Sequence, residues 1–512
     1  MSKIKLLRNI LSLISNDYVI FTGIFFAASF IGILNHELWL DEAHHWLLAR
    51  DSISISNLIT NTRYEGHPIL WNIILFYISR ISLDPFWMQF LHIIISSTVV
   101  FIFFKNAPFS RLFKIMFIFG YFMFFEYNLV SRNYAIGVLF LFLACSVYKS
   151  RKERFVLFAI LLAIANNTHA IFIVITSCLI FVTLIECIQE KGRFLNSKIS
   201  IGITIFVIGT LLSVLQIIPP SDTSFFERAE NFSLLQRISK SFITFFKGVF
   251  VISDFRTIHF WNSHLIVNLN KSFAAVLGIL SLSIPCFLFF KNKFILLYVY
   301  LGILGTGGFF FVTQLSAPRY FGMNFLIIIT ALWMEHYHSF KKNLLNSSFS
   351  RPTLQRIKKG LLYSILGIQM ISGVTAYSFD FFLPFSGSKQ TITYLKKSNL
   401  IGKVIITKWC GGTPLSSYLE KPVFFTNANN FQSYCIWNRQ NSLISNSEIK
   451  LINTIENTVK NEEQSVIFIS LEPLNLENVK NINDSMEYQF LKSFNKNIVS
   501  KESYYIYEIS KK

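Results

Sequence analysis

The chain has 512 residues, of which 52% are hydrophobic, 16% aromatic and only 15% charged, with a mean hydropathy of +0.47. A soluble protein carries about 25% charged residues, and here the apolar residues run in long blocks, which excludes an ordinary soluble domain. The net charge of +19 does not mark a nucleic-acid binder: residues 381–512 hold 15 Lys/Arg against 11 Asp/Glu, a net of +4, so +15 lies in the apolar part, clustered at the ends of its blocks.

Eleven apolar blocks read as candidate membrane helices: 18–34, 86–104, 113–128, 134–149, 155–168, 170–187, 200–218, 273–290, 294–315, 320–337 and 361–379. A twelfth, 69–82, is short for a crossing and reads as a tilted or partial helix. The fold class expected is a multi-spanning α-helical membrane protein of 11–12 helices, residues 1–380, followed by a small C-terminal α/β domain, 381–512. The first block is long and no small-residue cleavage site follows it, so it reads as an anchor. Placing the basic clusters (Lys3 to Arg8, Lys105 to Lys114, Lys149 to Arg154, Lys191 to Lys198, Lys291 and Lys293, Lys341 to Lys359) in the cytoplasm puts the N-terminus there too. Loops 35–68 and 219–272 and the C-terminal domain then lie outside, provided that 69–82 does not fully cross.

The first of these loops holds four of the chain's ten histidines. In "DEAHHWLLARDS" a helix is expected to begin near Asp41. Asp41 as an N-cap and Glu42 as a first-turn acid would satisfy its dipole, a structural role that competes with a chemical one. Helical spacing puts Glu42, His45 and Ala49 on one side and Trp46 and Arg50 on another. A cap does not account for "RYEGHPILW" at 63–71, where Arg63, Tyr64, Glu65 and His67 crowd a turn. There Gly66 frees the backbone, and Pro68 suits a helix start. His44 and His45 are adjacent and no HExxH spacing exists, so no protein-bound metal is expected. A divalent cation held transiently by carboxylates and a substrate phosphate stays open.

Further along, "FEYNLVSRNYAIG" sets Glu126, Arg132 and Tyr134 at an interface. "NNTHA" adds His169, and "SAPRYFG" puts Arg319 at the start of a late helix. Ionisable groups that face a bundle interior are functional candidates, although Arg132 could simply snorkel to lipid phosphate. "LLQRISKSFITFFKGVF", within 219–272, has helical apolar spacing and suits the membrane surface. In the C-terminal part, "KVIITKW", "KPVFFTN", "QSVIFISL" and "ESYYIYEIS" read as strands and "IKLINTIENTVK" as a helix. The six cysteines lack metal-ligand spacing. Cys145, Cys187 and Cys286 read as buried small residues, and Cys410 and Cys435 are open to pairing.

Taken together, "ELWLDEAHHWLLARDS…RYEGHPILW", "GYFMFFEYNLVSRNYAIG", "ANNTHA", "HFWNS" and "APRYFG" resemble bacterial integral membrane glycosyltransferases of the GT-C superfamily. More distantly they resemble protein mannosyltransferases and the aminoarabinose transferases of lipid A. The resemblance covers about residues 15–380. It implies an enzyme of the bacterial inner membrane that takes a sugar from a polyprenyl-phosphate donor and passes it to an extracytoplasmic lipid, glycan or protein acceptor. It also implies that an acid in the first external loop is the base: Asp41, with Glu42 and then Glu65 as alternatives. Arg132 and Arg319, with His67 next, would hold the lipid phosphate, and His45, Arg63, Tyr64, Glu126, Tyr134 and His169 would line the substrate site. Inversion needs a carboxylate to take the acceptor proton, and the departing phosphate needs cations. The alternatives are a transporter or flippase of an envelope precursor, which would concentrate ionisable groups at mid-helix depth, and a scaffold without catalysis.

Overall fold

The computed structural model describes residues 16–191, 197–224, 232–315, 317–338, 351–444, 448–461, 464–475 and 485–512. The apolar blocks fold as helices because their polar backbone groups must be satisfied within each segment. In chain order the helices of the bundle are α1 (Asp17–Asn35), α2 (Leu40–Asp51), α3 (Ile55–Asn61), α4 (Leu70–Ser79), α5 (Phe86–Asn106), α6 (Arg111–Ile118), α7 (Tyr134–Val147), α8 (Phe155–Asn166), α9 (Ala170–Lys191) and α10 (Ser197–Ile217). Then come α11 (Leu234–Val249), α12 (Leu265–Leu269), α13 (Lys271–Ser281), α14 (Ile284–Phe289), α15 (Lys293–Thr313), α16 (Pro318–Glu335) and α17 (Arg351–Phe382).

Among the described residues, seven helical segments are long and apolar enough to cross a membrane: α1, α5, α9, α10, the broken pair α13–α14, α15 and α17. The other expected blocks are shorter, interrupted or, in the case of the 18-residue α16, less apolar. Residues 134–149 and 155–168 give helices of 14 and 12 residues. The 10-residue α4 is about 15 Å long, half the depth of a hydrocarbon core of about 30 Å. Block 113–128 breaks at Gly120 into α6 and a buried π-helical turn, Tyr121–Glu126. At that break α17 comes so close that a Cβ on Gly373 would lie 2.6 Å from the Gly120 carbonyl carbon and from the Phe119 oxygen. α16 is buried almost all round, from Pro318 through Ala331, which makes it the centre of the bundle. The amphipathic α11, foreseen as a surface helix, packs its Phe245–Phe246–Val249 side inward and leaves Leu234 and Leu235 exposed.

The C-terminal sheet domain begins with α18 (Ser388–Lys397) and includes α19 (Gly412–Leu419), α20 (Arg439–Ile444) and α21 (Glu448–Asn461). Its six strands are β1 (Ile405–Thr407), β2 (Val423–Phe425), β3 (Asn430–Gln432), β4 (Val466–Ser470), β5 (Met486–Phe494) and β6 (Tyr504–Lys511), in the order β3-β2-β1-β4-β6-β5. β2, β1 and β4 are parallel, and antiparallel strands close both edges. Alternate residues serve two cores: Ile405, Ile467 and Ile469 pack with Ile392, Leu395 and Leu415, while Ile406 and Phe468 pack with Ile455 and Val459. The four strands and the helix expected from the sequence are all present. β3 and β5 are additional edge strands; β3 is mostly exposed, and β5 turns Met486 into the core. Cys410 and Cys435 are joined by a disulfide.

The Gly373 contact is with backbone, which cannot swing aside. Gly373→Ala is therefore expected to lower stability by roughly 1–3 kcal/mol, read as a lower Tm of the purified protein in detergent. Gly23→Ala, where an added Cβ meets nothing within 4 Å, is the matched control.

Candidate functional site

The short stretch from His36 to Leu40 links α1 to α2, and its polar groups explain where Asp41 and Glu42 point. The residue before α2 is Trp39, so Asp41 sits one position inside the first turn and is not the cap. Two glutamate side chains serve that turn instead: Glu42 Oε2 accepts from the Trp39 amide (3.2 Å), and Glu502 Oε1 of the sheet domain accepts from the Leu40 amide (2.8 Å). Asp41 is left free to face the bundle.

Glu42 is fully buried and fully engaged. His36 Nε2 lies 3.1 Å from its Oε2, and the Ser131 amide donates to its Oε1 (2.5 Å). The other nitrogen of His36, Nδ1, lies 2.7 Å from Asp380 Oδ2 on α17. Burial alone would lower the pKa of His36, but Asp380 and Glu42 outweigh it and raise it to about 10. The imidazolium is thus clamped between two carboxylates. The neighbouring loop is held by His92, whose ring nitrogens each lie 2.8 Å from a carbonyl oxygen, of Asn128 and of Arg132. Together Glu42 and His92 fix the loop that carries Arg132.

Asp41 meets both predicted arginines. Arg132 Nη1 is 2.5 Å and Arg319 Nη2 3.4 Å from the same oxygen, Oδ2. Among the described residues, Oδ1 has no hydrogen-bond partner, and the Asp41 side chain is 22% exposed, enough for a ligand to reach it. Burial in the cleft acts to raise its pKa, but Arg132 and Arg319 hold it below the usual carboxylate value. Arg319 lies against Trp39, Tyr320 and Trp261, with ring centroids at 4.8, 4.9 and 5.6 Å. Trp261 is fixed in turn by donating to Glu126 Oε2 (3.1 Å), and the Tyr127 hydroxyl donates to the Arg319 carbonyl (2.7 Å).

Behind the arginines stand the predicted histidines. Arg132 Nη2 lies 3.3 Å from His67 Nε2. The His67 ring is 4.6 Å from that of His169 and 6.0 Å from that of His45, and His169 is 4.9 Å from Tyr134. Burial first, then Arg132, lowers the pKa of His67 to about 3; burial likewise lowers those of His45 and His169, so all three are neutral. Gly66, at φ +63°, makes the turn that delivers His67. Several buried polar atoms here lack a hydrogen-bond partner among the described residues: Arg132 Nε, Arg319 Nε, His67 Nδ1, His169 Nε2, His45 Nε2 and the Tyr134 hydroxyl. Buried polar groups are normally satisfied, so such a cluster is suited to a polyoxygenated ligand. Among the described residues no group of three His, Cys, Asp or Glu is arranged to hold a metal ion.

An apolar groove of about 490 Å³ runs between α4, α8 and α10, lined by residues such as Ile73, Ile164 and Leu212. Its lining reaches Ile69 and Asn167, each two residues from a site histidine, His67 and His169.

Other predicted residues are employed elsewhere. Glu65 is hydrogen-bonded to His44, whose ring rests on Trp437 and Tyr434 beside the disulfide. Tyr64 donates to Asp222 (2.9 Å), Arg63 is exposed, and Glu126 touches the site through Trp261 while its charge acts on Arg319. The sequence reading did not single out Trp39, Trp261 or Tyr320 as site residues, nor His36, Asp380 or Glu502. Tyr320 follows Arg319 directly, and "HFWNS" holds Trp261, so adjacency to marked motifs was the available signal.

The fold is that of a multi-spanning helical membrane protein with a terminal α/β domain; Asp41, Arg132 and Arg319 gather at the bundle end that meets that domain, and a second buried cluster, Arg151, Glu186 and His338, stands at the opposite ends of the helices. It is similar to the crystal structure of ArnT from Cupriavidus metallidurans bound to undecaprenyl phosphate, at 9% identity, covering 96% of this chain and 97% of that one with a TM-score of 0.50. At that identity the likeness is one of fold alone. No protein-family model and no curated protein matches the sequence.

The His36 clamp carries a pH signature. A folded-state pKa raised from 6.5 to about 10 means that its stabilisation is complete below pH 6.5 and is lost as pH rises through about 10. His36→Gln leaves two buried carboxylates uncompensated, a cost on the order of 3–5 kcal/mol near neutrality. The Tm gap between wild type and variant should therefore narrow steadily from pH 7 to pH 10; a constant gap would argue against a charged His36.

Proposed function

We propose that the protein is an inverting glycosyltransferase that moves a sugar from a polyprenyl-phosphate donor to a hydroxyl of an extracytoplasmic envelope lipid or glycan. The observation that carries this reading is the Asp41 carboxylate, with Arg132 and Arg319 on one oxygen and the other oxygen free. On this reading the site end of the bundle, with the sheet domain, faces outside, and the N-terminus lies in the cytoplasm of a bacterial inner-membrane protein.

The chemistry follows from the two halves of the site. Oδ1 of Asp41 accepts the proton of the acceptor hydroxyl while its oxygen attacks the anomeric carbon from the face opposite the phosphate. The bond between that carbon and the phosphate oxygen breaks, and the pair of electrons leaves on polyprenyl phosphate. Arg132 and Arg319 meet the growing charge, and arginine's fork of donors suits phosphate. His67, His169 and Tyr134 supply neutral donors to the remaining oxygens. The groove beside Ile69 and Asn167 takes the first isoprene units.

A carboxylate held down by two cations is a weak base. A bound phosphate shares those cations, so the pKa of Asp41 rises once the donor is seated. Asp41 then gains basicity only when there is an anomeric carbon to attack, which guards the empty site against idle proton exchange. Glu42 has both oxygens engaged, and Glu65 is paired with His44 beside Trp437, away from the two arginines, so neither is assigned the base. Transport of an envelope precursor gains no support from the described residues, whose buried ion pairs sit at helix ends and not at mid-helix depth.

The test uses the full-length protein in lipid with a panel of polyprenyl-phosphate sugars and follows release of polyprenyl phosphate. Asp41→Asn is expected to lower kcat by about 10²- to 10⁴-fold with donor binding retained. Arg319→Gln is expected to weaken donor binding as well. Equal turnover by wild type and Asp41→Asn would remove Asp41 from the chemistry. A folded wild type that releases nothing with any donor and acceptor extract would return the transport reading to first place.

A further inference from the structure

The segment before Asp41 is held at His36 and Trp39 by its own bundle and at Leu38 and Leu40 by the sheet domain. Of the amides at positions 38 to 40, Leu38 donates to the Tyr418 hydroxyl on α19 (2.8 Å) and Leu40 to Glu502 Oε1 (2.8 Å). Only Trp39 is served from within the bundle, by Glu42. Leu40 opens α2, so Glu502 acts as that helix's N-terminal acceptor from 462 residues away. An α-helix leaves its first amides without partners of its own, and a side-chain oxygen there fixes the entry angle of the chain as well as its stability.

Glu502 is itself rigidly seated. It is buried, its amide donates to Val499 O (2.9 Å), and its carbonyl accepts from the Gly387 amide (3.1 Å). The preceding turn pairs with the linker that leaves α17, through Ile498 to Pro384 O and Val499 to Phe385 O, both 2.9 Å. A Cβ on Gly387 would lie 3.0 Å from the Glu502 oxygen, so the two backbones are in near contact. The acceptor is therefore braced against the end of the last long helix, the helix whose Asp380 holds His36.

We propose that Glu502, assisted by Tyr418, is a positioning residue for Asp41: it caps α2 from the sheet domain and so sets where the Asp41 carboxylate stands relative to Arg132 and Arg319. This gives the sheet domain a part in turnover beyond attachment. The inference rests on the transferase reading for its kinetic consequence, but the capping itself does not.

The variants are Glu502→Leu, which removes the acceptor, Glu502→Gln, whose amide oxygen can still accept from Leu40, and Tyr418→Phe. All are made in the full-length protein in lipid. Misplacement of a reacting group by about 1 Å can cost on the order of 100-fold, so Glu502→Leu should lower kcat by roughly 10- to 100-fold, with KM for the donor lipid unchanged because the arginines are untouched. Glu502→Gln should restore most of the rate, and Tyr418→Phe should show a smaller version of the same split. Amide hydrogen exchange over residues 38–43 should rise in Glu502→Leu and not in Glu502→Gln. Unchanged exchange overturns the capping, and with it the proposal. Faster exchange with unaltered kcat overturns the positioning role, as does a Gln variant as slow as Leu. If Glu502→Leu does not fold, Tyr418→Phe decides: unchanged kcat and exchange there sink the idea. A wild type inactive with every donor would strike the transferase reading instead, and exchange would still decide whether Glu502 caps α2.

Discussion

A charge at the edge of a membrane bundle is tolerable only when it is paired and hydrogen-bonded, and the architecture around Asp41 is built on one such pairing. His36 carries a proton between Glu42 and Asp380, with both ring nitrogens used. Those three residues belong to the exit of α1, the start of α2 and the last turn of α17. A single buried cation thus ties the first and last long helices to the helix that bears the candidate base. The second oxygen of Glu42 holds the Ser131 amide, so the same pairing also sets the loop that presents Arg132. Remove the proton from His36 and three elements lose their common partner.

The adjacent acids illustrate how place decides employment. Successive residues on a helix point about 100° apart. Glu42 therefore turns into the knot, where each oxygen has donors, while Asp41 turns into a cleft with one oxygen unused. Chemically the pair is nearly interchangeable. What separates them is burial and partnering, neither of which a dipeptide reveals.

That distinction marks the limit of what the sequence conveys. Long apolar blocks had to become helices, and two-sided apolar runs such as "VIFIS" had to become central strands, because no other folding satisfies their backbone and side chains together. Asp41, Arg132, Arg319 and His67 were legible as polar residues stranded at the ends of apolar blocks. The employment of Glu65 on His44 and of Tyr64 on Asp222 was not, because each depends on an element distant in the chain. The decisive pairs are separated by 278 residues for Asp41 and Arg319, 344 for His36 and Asp380, and 462 for Leu40 and Glu502. Strand β5 does alternate in its first half, Met486, Tyr488 and Phe490, a signal that the sequence reading did not use.

The placing of the two arginines argues for more negative charge than Asp41 alone provides. Arg319 lies in the first turn of α16, and Arg132 stands two residues before α7, next to its cap residue Asn133. Helix N-termini carry partial positive charge, and a cation there is disfavoured by about 0.3–1 kcal/mol. Two guanidinium groups at two such ends, facing one carboxylate oxygen, leave the cleft short of anion. Helix starts with free donors are the usual seats of phosphate. The unsatisfied nitrogens of Arg132, Arg319, His67 and His169 lie in this same cleft, and each would gain an acceptor from a bound phosphate. Asp41 can neutralise one cation but supplies acceptors for few of these donors. A phosphate beside it would supply the rest, and in drawing the arginines to itself would release the carboxylate to take a proton.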